Sequence, residues 1–419
     1  MSSEENGLSQ IQSNIIANNW REMPIGDTCY LIKNSYIPNK NEKRKYIGLE
    51  HIGQETLKLI DIGNSQEIKS VKLNFKSGHI LFGKLRPYFR KVYMPNFDGV
   101  CSTDFFVIQG KKGFDNKYLF YFFANWEIIN EATNSSEGTR MPRASWEYLS
   151  NLKRKFPPLP EQKAIAKILS DLDEKIELNT EMNKTLEEIG QNLFKRWFID
   201  FEFPDENGNP YSSSGGEMVY SEELGKEIPK GWEVKRLDDL ADFLKGKRSP
   251  AEFYVDKDHP DAKPYVRIAD FGNSYVTVYT KADWCLECLE TDTLLATDGS
   301  IGLSDFGWKG VLTHHILCIR PKRELIDPYL LFTIIKLNEK YLASCNTASV
   351  SPTLRQDYVK SILLPYPPKN TMKKYSGLSE AIRLLIYTNK NENKSLSELR
   401  DSLLPKLMSG EIRVPMEAD

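Results

Sequence analysis

The sequence predicts an α+β protein written twice: two mixed α/β domains separated by two long antiparallel coiled-coil helices, with an internal pseudo-two-fold duplication. Three observations predict it. Motifs recur along the 419 residues at an offset of 210 to 212. A heptad-like apolar seam runs through each copy. A Pro-rich stop precedes each seam.

The repeat comes first because it sets the whole plan. Trp20 pairs with Trp232 at an offset of 212, and Gly99-Val100 pairs with Gly310-Val311. Asp115-Asn116-Lys117-Tyr118-Leu119-Phe120 matches Asp327-Pro328-Tyr329-Leu330-Leu331 after a one-residue shift. Met141-Pro142 and Ser351-Pro352 lie 210 apart, and from Pro157 to about Met408 that offset holds without a gap. Two unrelated domains of similar composition would not share this order and spacing.

Each copy opens with short strand-like runs, Lys69 to Leu73 and His79 to Phe82 in the first, Asp292 to Ala296 and Ile316 to Arg320 in the second. Turn residues punctuate them, as in Asn96-Phe97-Asp98-Gly99 and Asp298-Gly299-Ser300. The stops are Phe156-Pro157-Pro158-Leu159-Pro160 and Leu364-Pro365-Tyr366-Pro367-Pro368. Between the copies, Asp205 to Pro210 and Ser212 to Gly216 read as a linker or surface excursion. The expected domains are a polar lead-in (1–14), a mixed domain (15–157), a spacer helix (158–203), a linker (204–231), a second mixed domain (232–367), a second spacer helix (368–414) and a tail (415–419).

In the first helix Ile165, Leu169, Leu172, Ile176, Asn179, Asn183, Leu186, Gly190, Leu193 and Trp197 alternate at spacings of four and three. Adding 210 gives Tyr375, Ser379, Ile382, Ile386, Asn389, Asn393, Leu396, Arg400, Leu403 and Leu407. Both seams carry two asparagines at matching places. A seam asparagine costs stability and fixes register and orientation; the alternative is an edge position facing water. A helix from Glu161 to about Phe198 is roughly 57 Å long at about 1.5 Å per residue. An antiparallel pair places a mixed domain at each end and brings Asn179 opposite Asn389. A parallel pair makes the connection through 199–231 run the whole length, so antiparallel is favoured.

Composition excludes several classes. The formal net charge is -2, so nucleic-acid binding rests on local charge. Six cysteines do not suggest a disulfide framework. No apolar run approaches membrane-spanning length and the start MSSEENGLSQ lacks a signal-peptide plan, so a cytoplasmic protein without membrane contact is expected. There is no GxxxxGK[ST] loop and no Asn/Asp-Pro-Pro-Tyr/Phe segment, which leaves an ATP site and a methyltransferase site without their motifs. Cys285-Leu286-Glu287-Cys288 has metal-pair spacing but no second pair, and two structural cysteines are expected rather than zinc. No catalytic residues and no metal are expected.

The segment Phe156-Pro157-Pro158-Leu159-Pro160-Glu161-Gln162-Lys163-Ala164-Ile165-Ala166-Lys167-Ile168-Leu169 resembles the helix opening of type I restriction-modification specificity subunits. Glu217-Met218-Val219 with Glu223-Leu224-Gly225-Lys226-Glu227-Ile228-Pro229-Lys230-Gly231-Trp232 resembles the lead-in to that family's second recognition domain. The resemblance covers nearly the whole chain. It implies two target recognition domains, each reading half of a split asymmetric site on double-stranded DNA, with the helices setting a gap of about one helical turn, roughly 34 Å. It further implies docking of two modification (methyltransferase) subunits, with restriction (motor and nuclease) subunits joining. The chain would be a non-catalytic part of a restriction endonuclease and adenine-DNA methyltransferase complex. It would bind no cofactor, while S-adenosylmethionine, ATP and Mg belong to partner subunits, as does flipping of the target base. Two departures stand out: the second helix begins Thr371-Met372-Lys373, and the first domain opens Asn18-Asn19-Trp20. The alternatives are a free-standing DNA-binding adaptor and a fragment of a single-chain restriction-methylation enzyme. A polar lead-in and Gly410 as a helix C-cap disfavour the fragment.

Charge distribution fits DNA contact. Residues 69–117 hold ten Lys/Arg against three Asp, whereas 161–223 hold six against fifteen Asp/Glu. Lys84, Arg86, Arg90 and Lys91 cluster with Tyr88 and Phe89, a phosphate-binding set or else an ordinary solvated edge. The loops before the two stops add Arg140 and Arg143 in the first copy, as candidates for bidentate guanine contacts, and Ser351, Thr353 and Arg355 in the second. Thr297, Ser300 and His314 are weaker candidates. The copies agree in their helices and diverge in these polar residues, as expected if each half reads different bases.

Overall fold

The structure, a computed structural model, describes residues 19–135, 141–272, 276–345 and 353–414. The chain divides into two units, Met1–Glu174 with Leu396–Asp419, and Lys175–Ser395. In the first unit the apolar run of Ile80–Gly83, buried throughout, forms an inner strand. The four-stranded sheet runs Cys29–Leu31, Phe105–Gly110, Ile80–Gly83, Val92–Tyr93. A second sheet runs Ser35–Tyr36, Lys72–Phe75, Gly99–Cys101, Lys45–Ile47, Gly63–Asn64. Within it Tyr46 and Ile47 pair parallel with Val100 and Cys101. Asp115 caps the helix Asn116–Ala124, whose residues are buried from Tyr118 onward, as an all-round apolar helix requires. Arg21–Pro24 pairs antiparallel with Lys153–Phe156.

The second unit repeats these parts. Its four-stranded sheet runs Ala241–Lys245, Ile316–Pro321, Thr293–Ala296, Ser304–Phe306, and Glu233–Arg236 pairs with Leu363–Tyr366. The parallel pair recurs as Tyr265 and Val266 against Val311 and Leu312, with Glu287–Cys288 antiparallel on its far side. The duplication therefore extends into the sheets, where the sequence similarity is faint. The four strand-like runs read from the sequence fall on Lys72–Phe75, Ile80–Gly83, Thr293–Ala296 and Ile316–Pro321. The segment read as a linker is more ordered than expected: Met218–Ser221 and Lys226–Pro229 form a hairpin, and Tyr211 stacks on Phe203 with centroids 4.7 Å apart.

The two long helices span Leu159–Phe194 and Lys369–Ser409, and a π turn, Lys195–Ile199, continues the first. Gly410, at φ 78, ends the second. Partner numbers fall as residue numbers rise within each unit, so the pairing is antiparallel. Glu161 meets Arg413 and Asp173 meets Arg400 in the first unit; Lys175 meets Glu392 in the second. Ile165, Leu169, Ile176, Asn179, Asn183, Ile382, Ile386, Asn389 and Asn393 are buried, while Leu172, Leu186, Leu193, Leu396 and Leu403 are partly buried. The asparagine register corrects the expectation. Asn179 donates to Asn393 at 2.9 Å and Asn389 donates to Asn183 at 2.8 Å, so Asn179 does not meet Asn389. One further heptad step of stagger gives each asparagine an amide partner.

The unequal helix openings also have a cause. Glu161 is buried and accepts from Arg413 at 2.7 and 2.9 Å and from the Trp20 indole at 3.1 Å. Gln162, also buried, accepts from the Asp115 amide and donates to the Pro157 carbonyl. At the matching places stand Thr371, which is partly buried, and Met372, which joins the apolar cluster of Trp232, Phe203 and Tyr375.

Candidate nucleic-acid interface

In both units the chain leaves the buried inner strand and meets the loop that precedes the Pro-rich stop. In the first unit Leu85 opposes Arg143 in an isolated antiparallel bridge. Backbone bonds from Arg86 to Pro142 and from Ala144 to Lys84, both 2.8 Å, flank it. In the second unit Asp298 opposes Thr353, and the Leu354 amide donates to Thr297 at 2.8 Å. Two loops read separately along the sequence are thus one surface in each unit.

On the first surface Arg86 is exposed in the left-handed region at φ 51, and Tyr88 is exposed beside Phe89. Lys84 is half-buried, with its ammonium 5.6 Å from the Phe106 ring centroid. The Arg143 guanidinium is about half exposed and lies 3.4 Å from the Asp104 carboxylate, which orients it. Two expected contacts are corrected. Arg90 is only 2% exposed; its Nε donates to the Ala124 carbonyl at 2.7 Å, and its guanidinium faces Asp401. Lys91 donates to the Leu49 carbonyl at 2.6 Å, and burial lowers its pKa from the ordinary value. A charge run along sequence was read as one face, whereas the turn sends Arg90 inward. Arg140 lies outside the described residues.

On the second surface Asp298 is the hub. It accepts from the Thr353 hydroxyl at 2.7 Å, lies 3.4 Å from His315 Nδ1 and 3.6 Å from the Lys245 ammonium. Burial alone would raise its pKa, but the bonds from Thr353 and Thr297 and the Lys245 charge outweigh that and hold the carboxyl below its usual value. Thr297 is corrected: it is fully buried, its hydroxyl held by Lys245, Asp298 and the His315 carbonyl, so it supports the surface from beneath. Ser300 is exposed, and Arg355 is exposed in an ion pair with Asp357 at 2.8 Å. His314 is partly buried, its ring 3.7 Å from that of His315; burial, then the charges of His315 and Arg248, lower its pKa. Ser351 lies outside the described residues. Sequence reasoning missed Asp104 and Lys245, which no motif marks, since only the fold brings them to these loops.

The Cys285 and Cys288 thiols donate to different carbonyls, Lys247 and Trp308, and among the described residues no cluster of three metal-ligating side chains occurs. Among those residues, too, no helix is long and apolar enough to cross a membrane.

This arrangement, two repeats of one mixed domain each followed by a long helix, defines a class of duplicated recognition protein. The model of the type I restriction modification DNA specificity domain matches residues 17–188 and again 229–398, and the chain belongs to that family. It is 28% identical over 318 residues, 73% of its length and 71% of the relative's, to the type I restriction enzyme MjaIX specificity subunit of Methanocaldococcus jannaschii. It is 27% identical to the type I restriction enzyme HindI specificity subunit of Haemophilus influenzae, covering 94% of this chain and 99% of that one. A crystal structure of the type I restriction-modification system S subunit from M. genitalium shares the fold at TM-score 0.50 and 17% identity, covering 93% of this chain and 96% of the other.

Proposed function

We propose that this chain is the non-catalytic DNA-specificity subunit of a type I restriction-modification complex, reading a two-part asymmetric site with one half assigned to each unit. The carrying observation is the repeated bridge, Leu85 to Arg143 and Asp298 to Thr353. At the bridge the same scaffold places Arg143 beside Asp104 in one unit, and Thr353 with Asp298 and His315 in the other. Equal scaffolds with different polar groups are what two different half-sites require. Base readout is assigned to Arg143 in the first unit and to Thr353 and Ser300 in the second; phosphate contact is assigned to Lys84, Arg86 and Arg355.

The chain works beside methyltransferase and restriction subunits, and two modification subunits are proposed for each chain. Exposed apolar residues recur at the repeat offset of 210 and support this number: Ile168 matches Leu378, and Ile189 matches Leu399. Each unit shows one residue from each pair, so each can offer one partner a similar apolar face. S-adenosylmethionine, ATP and Mg are assigned to those partners, and the complex is expected to act on DNA in the cytoplasm.

The test is co-expression with a modification subunit, followed by size-exclusion and mapping of methylated positions. Replacing residues 16–156 by another first domain is expected to change one half of the methylated motif. Change in both halves, or a chain that never assembles, overturns the reading.

A further inference from the structure

Arg90 carries charge at the end of a turn on which Arg86 and Tyr88 are exposed, yet its own side chain is buried. The turn Pro87–Phe89 is bracketed by two left-handed residues, Arg86 at φ 51 and Arg90 at φ 48. Such a backbone is strained for residues with a Cβ and persists only when its surroundings hold it. The holding groups are specific. Arg90 donates to the Ala124 carbonyl at 2.7 Å, lies 5.1 Å from the Trp126 ring centroid, and faces Asp401 on the second long helix at 3.6 Å. Asp401 also accepts from Arg400 at 3.1 Å, and Arg400 donates at 2.6 Å to Asp173 on the first long helix. Asp173 in turn accepts from Tyr121 at 2.7 Å.

We infer that Arg90 is a positioning residue that ties the DNA-facing turn carrying Arg86 and Tyr88 to the long helices through Asp401, and that the Asp305–Lys390 pair does the same for the second unit. Cohesion does not need these charges. Ile80, Phe82 and Val92 already share an apolar cluster with Ile165, Leu169, Leu404 and Leu407. Apolar contact is non-directional, whereas Arg90 is held by a hydrogen bond to the Ala124 carbonyl and an ion pair with Asp401, and Lys390 by a charged hydrogen bond to Asp305. A buried ion pair is weak evidence for stability, and its best-attested use is fixing register.

The second unit repeats the device at the same sheet edge with the charges exchanged. Asp305, on the edge strand Ser304–Phe306 that corresponds to Val92–Tyr93, accepts from Lys390 of the second long helix at 2.7 Å. Lys390 also donates to the Phe306 carbonyl at 2.7 Å. Asp305 further accepts from the Gly272 and Phe306 amides and from the Trp308 indole. Burial would raise its pKa, but Lys390 and these donors hold it below the usual value.

The inference rests on the DNA-specificity reading, and its test separates the two. The complex of full chain and modification subunit is titrated against duplexes carrying one altered base pair in either half, the halves being assigned by replacement of residues 16–156. Arg90→Met is expected to lower discrimination in the first half by about tenfold, the worth of about one base pair, with the second half unchanged. The double variant Asp305→Asn with Lys390→Met, which removes both members of the pair together, is expected to do the reverse. Should Arg90→Met fail to assemble, Asp401→Asn carries the same expectation, because it keeps an acceptor for Arg400. Equal losses in both halves, or no loss in assembled variants, overturn the inference. A wild-type complex that discriminates in neither half overturns the function instead.

Discussion

Asn179 of the first long helix donates to Asn393 of the second at 2.9 Å, and both side chains are almost fully buried. A second pair, Asn389 to Asn183 at 2.8 Å, lies one helical turn away. Replacing one member by Leu strands its partner and is expected to cost about 1–3 kcal/mol in urea unfolding. Replacing Asn179 and Asn393 together by Leu is expected to recover most of that loss. A double-mutant cycle with no coupling would sink the pairing.

Gly190 sits in the seam where a Cβ would lie 2.6 Å from Tyr329 Cε1 and 2.8 Å from its hydroxyl. Alanine is the better helix former, yet Gly190→Ala is expected to destabilise by about 1–3 kcal/mol, because the Tyr329 ring is buried and has little room to give. Thermal melting checks the sign: a raised Tm would refute the packing argument.

Asp327 caps the helix Pro328–Leu337 by accepting from the Tyr329 and Leu330 amides, and it also accepts from Ser379. Burial raises its pKa despite these donors. The folded state therefore holds the proton more readily than the unfolded chain. This contribution to stability is greatest below the unfolded value of about 3.9 and falls as pH rises through the folded one. Asp327→Asn is expected to keep the cap and remove that fall, and Asp327→Ala to cost about 1–2 kcal/mol. Melts across acidic pH decide; identical slopes in wild type and Asp327→Asn would contradict the assignment.

Arg86 and Arg143 separate two kinds of DNA contact. Arg86→Ala is expected to weaken binding to all sequences alike and to reduce the salt slope by about 1. Arg143→Ala is expected to relax the first half-site by about 1–3 kcal/mol per base pair read. The same response from both variants in a salt-dependent binding series would show that the assigned roles are wrong.

Much of the plan was legible because it is periodic. Seam residues such as Ile165, Leu169 and Ile386 declare themselves by spacing, and the inner strands by continuous apolar runs. The interface was legible only in part. Arg86, Arg143 and Ser300, proposed from charge and turn chemistry, are exposed and so accessible to a ligand. Arg90, Lys91 and Thr297 were misplaced because local sequence does not say which side of a turn faces inward. Asp104 and Lys245 went unseen because their partners lie 39 and 52 residues away.

By itself, then, the sequence determined the duplication, the two helices and their antiparallel sense, since those follow from repeat offset, heptad spacing and connection length. Tertiary structure alone decided the register that joins Asn179 to Asn393, the meeting of the two loops at Leu85 and Arg143, and the inward path of Arg90. These depend on contacts between residues far apart in the chain, where a shift of one turn leaves the sequence pattern intact and changes every partner.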